Sequence, residues 1–229
     1  ANYLVNPNDG EYPFSGIEPT GVPKVLAETA LPFSYGNLEQ LKFILNDNKN
    51  EVAAVIMEPM RSDYPPQNYL SKVKEIAKEN NTMVLLNPAP AREIPDSFLR
   101  LVDVLIPNET ETEILSGMKT TTDDQAIEAA RALTSKGIST VILTLGHRGA
   151  LLLTDEIEKR VPGFAIEAVD TTAAGDAFCG ALATSLAQGS TIEDAVWIAN
   201  AAGALAVTKL GAEPSLPKKA DLDQFLAVN

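Results

Sequence analysis

Between Ala30 and Leu145, short apolar runs of strand length alternate with stretches whose apolar residues recur at helical spacing, and this alternation restricts the chain to the α/β class. Leu31 to Tyr35 reads as a short strand. Asn37 follows as an N-cap with Gln40 three residues on, opening a helix whose apolar face is Leu38, Leu41, Ile44 and Leu45. Val52 to Met57 is a continuous apolar run suited to a strand buried on both faces of a parallel sheet. Leu70, Val73, Ile76 and Ala77 mark a helix, Met83 to Leu86 a strand and Val102 to Ile106 another. Ile127, Ala130 and Leu133 mark a helix ended by Gly137, and Thr140 to Leu145 a further strand. The repetition implies right-handed crossovers and a doubly wound, mainly parallel sheet with helices on both faces, continuous from Leu31 to Leu145. Gly149 to Thr154 and Lys159 to Val169 read as antiparallel strands added to it. Two helices follow, one from near Gly175 and one from Thr191 that carries Trp197, Asn200 and Ala204.

Ahead of this pattern, Pro7, Pro13, Pro19 and Pro23 are spaced too closely for a helix, so the first ~30 residues read as an extended loop segment. A length of 229 residues allows one sizeable α/β domain or two small ones. The formal net charge of −13 argues against nucleic acid or an anionic membrane as partner, because a phosphate surface needs a basic face. A single cysteine, Cys179, excludes an internal disulfide framework and reads as a buried thiol on an apolar helix. The single histidine, His147, lies in a loop between two glycines and reads as a surface residue. No His/Cys cluster has metal-ligand spacing. With no apolar run of about 18 residues and no basic-then-apolar leader, the expectation is a soluble, cytoplasmic protein without a membrane span or signal peptide.

Chemistry concentrates in Asp170-Thr171-Thr172-Ala173-Ala174-Gly175-Asp176, where small residues and a carboxylate stand at a strand-to-helix transition. Such a turn offers backbone N–H groups to an anion, and the helix dipole favours negative charge at the same spot. An Asp there can take a proton from a hydroxyl while the amides stabilise a transferring phosphoryl group. A Gly-Asp pair before an apolar helix is also a common structural N-terminus.

The same run, continued by Ala177-Phe178-Cys179-Gly180-Ala181-Leu182, closely resembles the signature of ribokinase-like sugar kinases. So do Asn87-Pro88-Ala89-Pro90-Ala91-Arg92, Pro107-Asn108-Glu109-Thr110-Glu111, Thr144-Leu145-Gly146-His147-Arg148-Gly149 and Gly211-Ala212-Glu213-Pro214-Ser215, in the family's order. The resemblance covers about Leu86 to Asn229. It implies Asp176 as general base toward a sugar hydroxyl, with Ala173, Ala174 and Gly175 as the anion hole. Asn108 and Glu111 match an Asn-x-x-Glu motif tied to phosphate and magnesium organisation, the alternative being a solvated helix start. Thr144, Gly146 and Gly149 match a loop that lies against the nucleotide, and Asn200 a position near the adenine or ribose. Asp170, Thr172, Ala206, Lys209, Gly211 and Ser215 match positions that hold a monovalent cation, Lys209 through its backbone alone. The implied ligands are ATP or ADP, Mg2+ and K+. Ala173 stands where many relatives have glycine.

Nothing N-terminal resembles the sugar-binding part of those kinases or its lid. Instead, Gly21-Val22-Pro23, the stretch Leu31 to Glu39 and Val52 to Pro59 resemble an internal piece of a class-III pyridoxal-phosphate aminotransferase of the glutamate-1-semialdehyde aminomutase type, over about Ala1 to Asn80. The lysine for the Schiff base and the Asp for the pyridine nitrogen have no counterparts, so PLP is not expected and an aminotransferase is a remote alternative. The two resemblances meet between Leu70 and Leu86 inside one helix–strand unit, with no linker-like composition. This implies one fused α/β domain over 1–229, an aminotransferase-like segment over 1–80 joined to a kinase-like nucleotide-binding segment over 81–229. With Ala1 rather than Met first, the chain reads as an engineered chimera recombined from two folds, without efficient catalysis and with a vestigial Mg-ATP site. Weak nucleotide binding and no sugar phosphorylation are then expected, since Asn6, Asn8, Asp9 and Asn68 stand in no sugar-binding pattern. A replaced half would also leave apolar surface or a strand edge for self-association. The alternative is an ATP-dependent carbohydrate kinase transferring the γ-phosphate to a sugar hydroxyl.

Overall fold

The computed structural model describes residues 31–60 and 65–229, so the extended segment expected before Ala30, with Gly21-Val22-Pro23, lies outside the described residues. The chain divides into two compact units, Ala1–Ile76 and Ala77–Asn229.

In the first unit, α1 (Leu38–Asp47) starts as its sequence indicates: the Asn37 side chain accepts from the Gln40 amide at 3.0 Å. Gln40 reaches back to accept from the Ser34 amide at 2.7 Å, so the capping residues also pin the entering chain. The ring of Tyr35 packs edge-on against Tyr69, centroids 5.0 Å apart, and its hydroxyl donates to the Pro59 carbonyl. Tyr69 opens α2 (Tyr69–Glu79), in which the division between the units falls. The strands expected over Leu31 to Tyr35 and Val52 to Met57 are not formed, and Ile56 is 95% exposed. A strand exists only through hydrogen bonds to a neighbour, and no other strand is described among residues 31–76 to supply them. The sheet therefore begins after Leu31 and after Met57, at Leu85.

The second unit holds that sheet. Its strands are β1 (Leu85–Leu86), β2 (Val104–Leu105), β3 (Thr140–Thr144), β4 (Ala150–Leu153) and β5 (Glu158–Val161), in that spatial order. β1, β2 and β3 are parallel, with Leu85 opposite Val104 and Val104 opposite Thr140. β4 and β5 are added antiparallel, Val141 facing Leu153 and Ala150 facing Val161, so the sheet is mixed. Helices α3 (Asp96–Leu99), α4 (Glu109–Ser116) and α5 (Asp123–Thr134) lie between the parallel strands in sequence, and α6 (Ala174–Ala187), α7 (Ile192–Ala206) and α8 (Lys219–Leu226) follow the sheet.

Two cores follow from the period of two along the strands. Leu105, Val141, Leu143, Leu151 and Leu153 point to one face and pack with Leu115 of α4 and Ala126, Ala130 and Leu133 of α5. Val104, Ile106, Ile142, Ala150 and Leu152 point to the other and pack with Phe178 and Leu182 of α6 and Ala195, Val196 and Ala199 of α7. With helices on both faces, the central strands are apolar throughout, which is why they read as continuous runs. Each fully buried Leu or Ile contributes about 1.5–3 kcal/mol. Thr122 and Gln125 form a reciprocal cap that starts α5, and Thr191 caps α7 by accepting from the Asp194 amide at 3.2 Å.

Candidate functional site

The three parallel strands end on one side of the sheet, and the residues just past their carboxyl ends line a cleft of about 170 Å³. Asn87 and Ala89 follow β1, Ile106 and Asn108 follow β2, and Thr144 ends β3; Glu111 of α4 and Ala173, Gly175, Asp176, Phe178 and Cys179 at the start of α6 complete it. In open α/β sheets this is where ligands bind.

The start of α6 leaves donors unused. Ala173 is the N-cap, in left-handed conformation at φ 62° and ψ 8°, and offers no side-chain cap. The amide of Ala174 donates to Thr171 O at 3.3 Å and that of Ala177 to Ala173 O at 2.9 Å. The amides of Gly175 and Asp176 have no acceptor among the described residues. Two free donors at the positive end of a 14-residue helix are a site for an anion. A Cβ on Gly175 would meet no atom within 4 Å, so a side chain at this position has open space around it. Left-handed backbone at a non-glycine residue costs on the order of 1 kcal/mol, and Ala173 holds it where the chain turns into the helix. Asp176 is exposed at the rim.

Asn108 and Glu111 turn out to be a reciprocal cap. The Asn108 side chain accepts from the Glu111 amide at 2.9 Å, and Glu111 Oε2 accepts from the Asn108 amide at 2.8 Å. Both still line the cleft, and Glu111 Oε1 has no donor among the described residues. Burial raises the Glu111 pKa above the usual carboxylate value, against the lowering by the Asn108 amide. Cys179 is pushed up to about 12, first by burial and then by the charges of Asp176 and Glu111. Its thiol stays protonated and is no nucleophile.

Other residues named from the sequence lie off the cleft. Gly146 takes φ 56° in the turn after β3. Gly149 has φ 91°, and a Cβ there would come within 2.2 Å of Val161 O and 2.4 Å of Gly163 N, so this glycine is required by the neighbouring backbone. Asn200 is buried and donates to Val161 O at 3.2 Å and Pro162 O at 3.1 Å, which ties α7 to the end of β5. Asp170 bonds two of the other five cation-motif residues: Oδ1 accepts from the amide and hydroxyl of Thr172 at 2.9 and 2.7 Å, and Oδ2 from the Gly211 amide at 2.9 Å. These bonds, the Gly211 amide first, hold its pKa below the usual value. Ala206 and Ser215 are buried nearby in sequence, Ser215 donating to Ala212 O at 2.7 Å, and the Lys209 amide donates to Ala206 O at 3.4 Å. Asn87, Ala89, Ile106 and Phe178 received no role from the sequence; their position one to four residues past a strand, or one turn into α6, was the available signal. Asn6, Asn8 and Asp9 lie outside the described residues, and Asn68 belongs to the first unit. Among the described residues, no group of three or more His, Cys, Asp or Glu is placed to hold a metal ion, and no helix is long and apolar enough to cross a membrane.

Comparison with known proteins gives a consistent answer. The pfkB family carbohydrate kinase profile matches residues 29–219. Ribokinase from Haemophilus influenzae is 40% identical over 161 residues, 70% of this chain and 53% of that protein. Deoxyribokinase from Salmonella typhi is 42% identical over 156 residues, 68% of this chain and 51% of that protein. Among solved structures, Arabidopsis thaliana ribokinase complexed with ribose and ATP has a TM-score of 0.66 and 32% identity over 70% of this chain and 53% of its own. The chain spans about half the length of the curated relatives it matches. These findings overturn the reading of an engineered chimera without efficient catalysis, since the relatives at about 40% identity are sugar kinases. The family match also runs through residues 29–80, most of the stretch likened to an aminotransferase, and the comparisons do not show that fragment. The fold is ribokinase-like α/β, and the chain belongs to the pfkB family of carbohydrate kinases.

Proposed function

We propose that the chain carries the phosphoryl-transfer centre of an ATP-dependent kinase acting on a pentose-type sugar. The observation that supports this most is the pair of free amides at Gly175 and Asp176 beside the Asp176 carboxylate, opening into the cleft at the ends of β1 to β3. The relatives named above are ribokinase and deoxyribokinase, and one was solved with ribose and ATP.

In this reading the Asp176 carboxylate accepts the proton of the attacking sugar hydroxyl as the new O–P bond forms and ADP leaves. The amides of Gly175 and Asp176 hold the equatorial oxygens of the phosphoryl group, where charge is densest in the transition state. A carboxylate is a weak base at neutral pH, so its contribution depends on being aimed at the hydroxyl; Asp176 lines the cleft from the first turn of α6. Glu111 fits a magnesium-organising role: it is buried on the cleft, and among the described residues Asn108 is its only side-chain hydrogen-bonded partner and Oε1 has no donor. Bound magnesium neutralises charge on the phosphates. Asp170 bonds Thr172 in its own loop and the Gly211 amide in the loop from Ala206 to Ser215, so the two loops whose carbonyls would hold K+ are tied together.

A coupled assay over a panel of sugars with ATP tests the reading. Turnover of a pentose is expected, and Asp176→Asn should lower kcat about 10²–10⁴-fold with little change in the KM for ATP. An unchanged kcat in that variant, or no sugar turned over by the wild type, would reject it.

A further inference from the structure

A chain of four alternating charges lies next to the cleft without lining it. Arg148, in the turn between β3 and β4, donates from Nη2 to Glu109 at 2.5 Å and from Nη1 to Asp123 at 2.7 Å. Arg160 of β5 donates to the second oxygen of Asp123 and, at 3.4 Å, to the carbonyl of Arg148 itself. Glu109 and Asp123 are the first residues of α4 and α5, so one guanidinium spans the starts of two helices. Each carboxylate is favoured there by its own helix dipole, and each is brought near the other by their shared cation.

Glu109 follows Asn108 directly, and Asn108 is bridged to Thr144, whose amide donates to Pro107 O at 2.9 Å. Arg148 sits four residues beyond Thr144, past the left-handed Gly146. The turn is closed at its base by the Leu145 amide donating to Gly149 O at 2.7 Å. Arg148 therefore grips, from behind the cleft, the two segments that present Asn108, Glu111 and Thr144 to it. It is also the least exposed member of the cluster, its side chain 24% accessible against 42% for Glu109 and 53% for Asp123.

Resting on the kinase reading above, we propose that Arg148 is a positioning residue for phosphoryl transfer, holding the start of α4 against the turn after β3. Without it the start of α4 loses its ion pair to the turn, and Arg160 remains paired with Asp123 and not with Glu109. A lysine can neutralise one carboxylate but cannot fork between two.

Two measurements on the full chain test this. In the coupled assay, Arg148→Ala should raise the KM for ATP about tenfold while kcat changes less, Arg148→Lys should restore part of the loss, and Glu109→Gln combined with Arg148→Ala should add little to Arg148→Ala alone. Arg131→Ala removes a comparable exposed ion pair, to Glu158, and should leave KM unchanged. Independently of turnover, hydrogen exchange at the amides of Asn108, Glu111 and Leu145 should become about tenfold faster in Arg148→Ala and not in Arg131→Ala. Unaltered exchange at those amides overturns the proposal whether or not the protein phosphorylates a sugar. A wild type that turns over no sugar rejects the kinase reading alone, and equal KM changes in the Arg148 and Arg131 variants reduce Arg148 to general stability and overturn its positioning role.

Discussion

Gly175 separates a glycine needed for folding from one needed for a ligand. It is the second residue of α6, its φ is not positive, and an added Cβ would touch nothing within 4 Å. Gly in a helix costs about 0.5–1 kcal/mol relative to Ala. Gly175→Ala should therefore raise stability by up to that amount, which for a chain of this size moves the melting midpoint up by about 1–4 °C at 2–4 °C per kcal/mol. Gly175→Leu should fold equally well but place its side chain over the free amides of Gly175 and Asp176. Scanning calorimetry with and without the magnesium complex of a non-hydrolysable ATP analogue reads both effects. At a hundredfold excess over Kd a ligand adds about 2.7 kcal/mol, a shift of about 5–11 °C. That shift should be present in the wild type and absent in Gly175→Leu. A lower midpoint in Gly175→Ala would mean that the backbone itself requires glycine, and an undiminished ligand shift in Gly175→Leu would mean that the anion is held elsewhere.

Three further outcomes are expected. Gly149→Ala forces a Cβ to within 2.2 Å of Val161 O at φ 91°, so it should cost about 2–5 kcal/mol, whereas Gly146→Ala meets no neighbour and should cost on the order of 1; equal urea midpoints would contradict the assignment. Because burial raises the Glu111 pKa, the stability it gives is complete below the unfolded value of 4.5 and is lost as pH rises through the folded one. Wild type minus Glu111→Gln stability should thus fall as pH rises above the unfolded value, and a flat difference would remove the cause given for the shift. With its pKa near 12, Cys179 should react with iodoacetamide at pH 8 about a thousandfold more slowly than a free cysteine; labelling at the ordinary rate would show the thiol to be open to solvent.

The central sheet was legible because its strands are buried on both faces. Runs such as Val102 to Ile106 and Thr140 to Leu145 leave no polar face to confuse the period, and the caps at Asn37 and Thr191 mark where helices begin. Val52 to Met57 was misread by the same rule, since an apolar run indicates a wish for burial but names no partner strand. The aminotransferase likeness rested partly on that run, and the carbohydrate-kinase match covers it within residues 29–219. Within the site, residue type showed the turn from Ala173 to Asp176 as a helix start but not which of its amides is free: that of Ala174 donates to Thr171 O, whereas those of Gly175 and Asp176 find no acceptor among the described residues. The role of Asn108 and Glu111 could not be read from their spacing, because three residues apart serves a helix cap and a ligand pair equally, and here the same two side chains cap α4 and line the cleft. Gly149 and Asn200 were named through the family resemblance, and the sequence could not show that both also meet the backbone of Val161 to Gly163, which lies far along the chain. α8 went unread, as none of its residues is buried.

The strand β4 reads Ala150-Leu151-Leu152-Leu153, with every residue buried and both faces covered by helices. A slip of one residue against β3 would exchange leucine for leucine at two of its four positions and draw in only Gly149 or Thr154, exposing no charge and hiding none. Side-chain polarity thus provides almost no penalty against misregistered pairing at the centre of the sheet. The alignment must be set from the strand's entrance, where Gly149 is wedged against the backbone of Val161 and Gly163 with no room for a side chain. One atom-sized gap in that turn decides which of two nearly isoenergetic zippers closes.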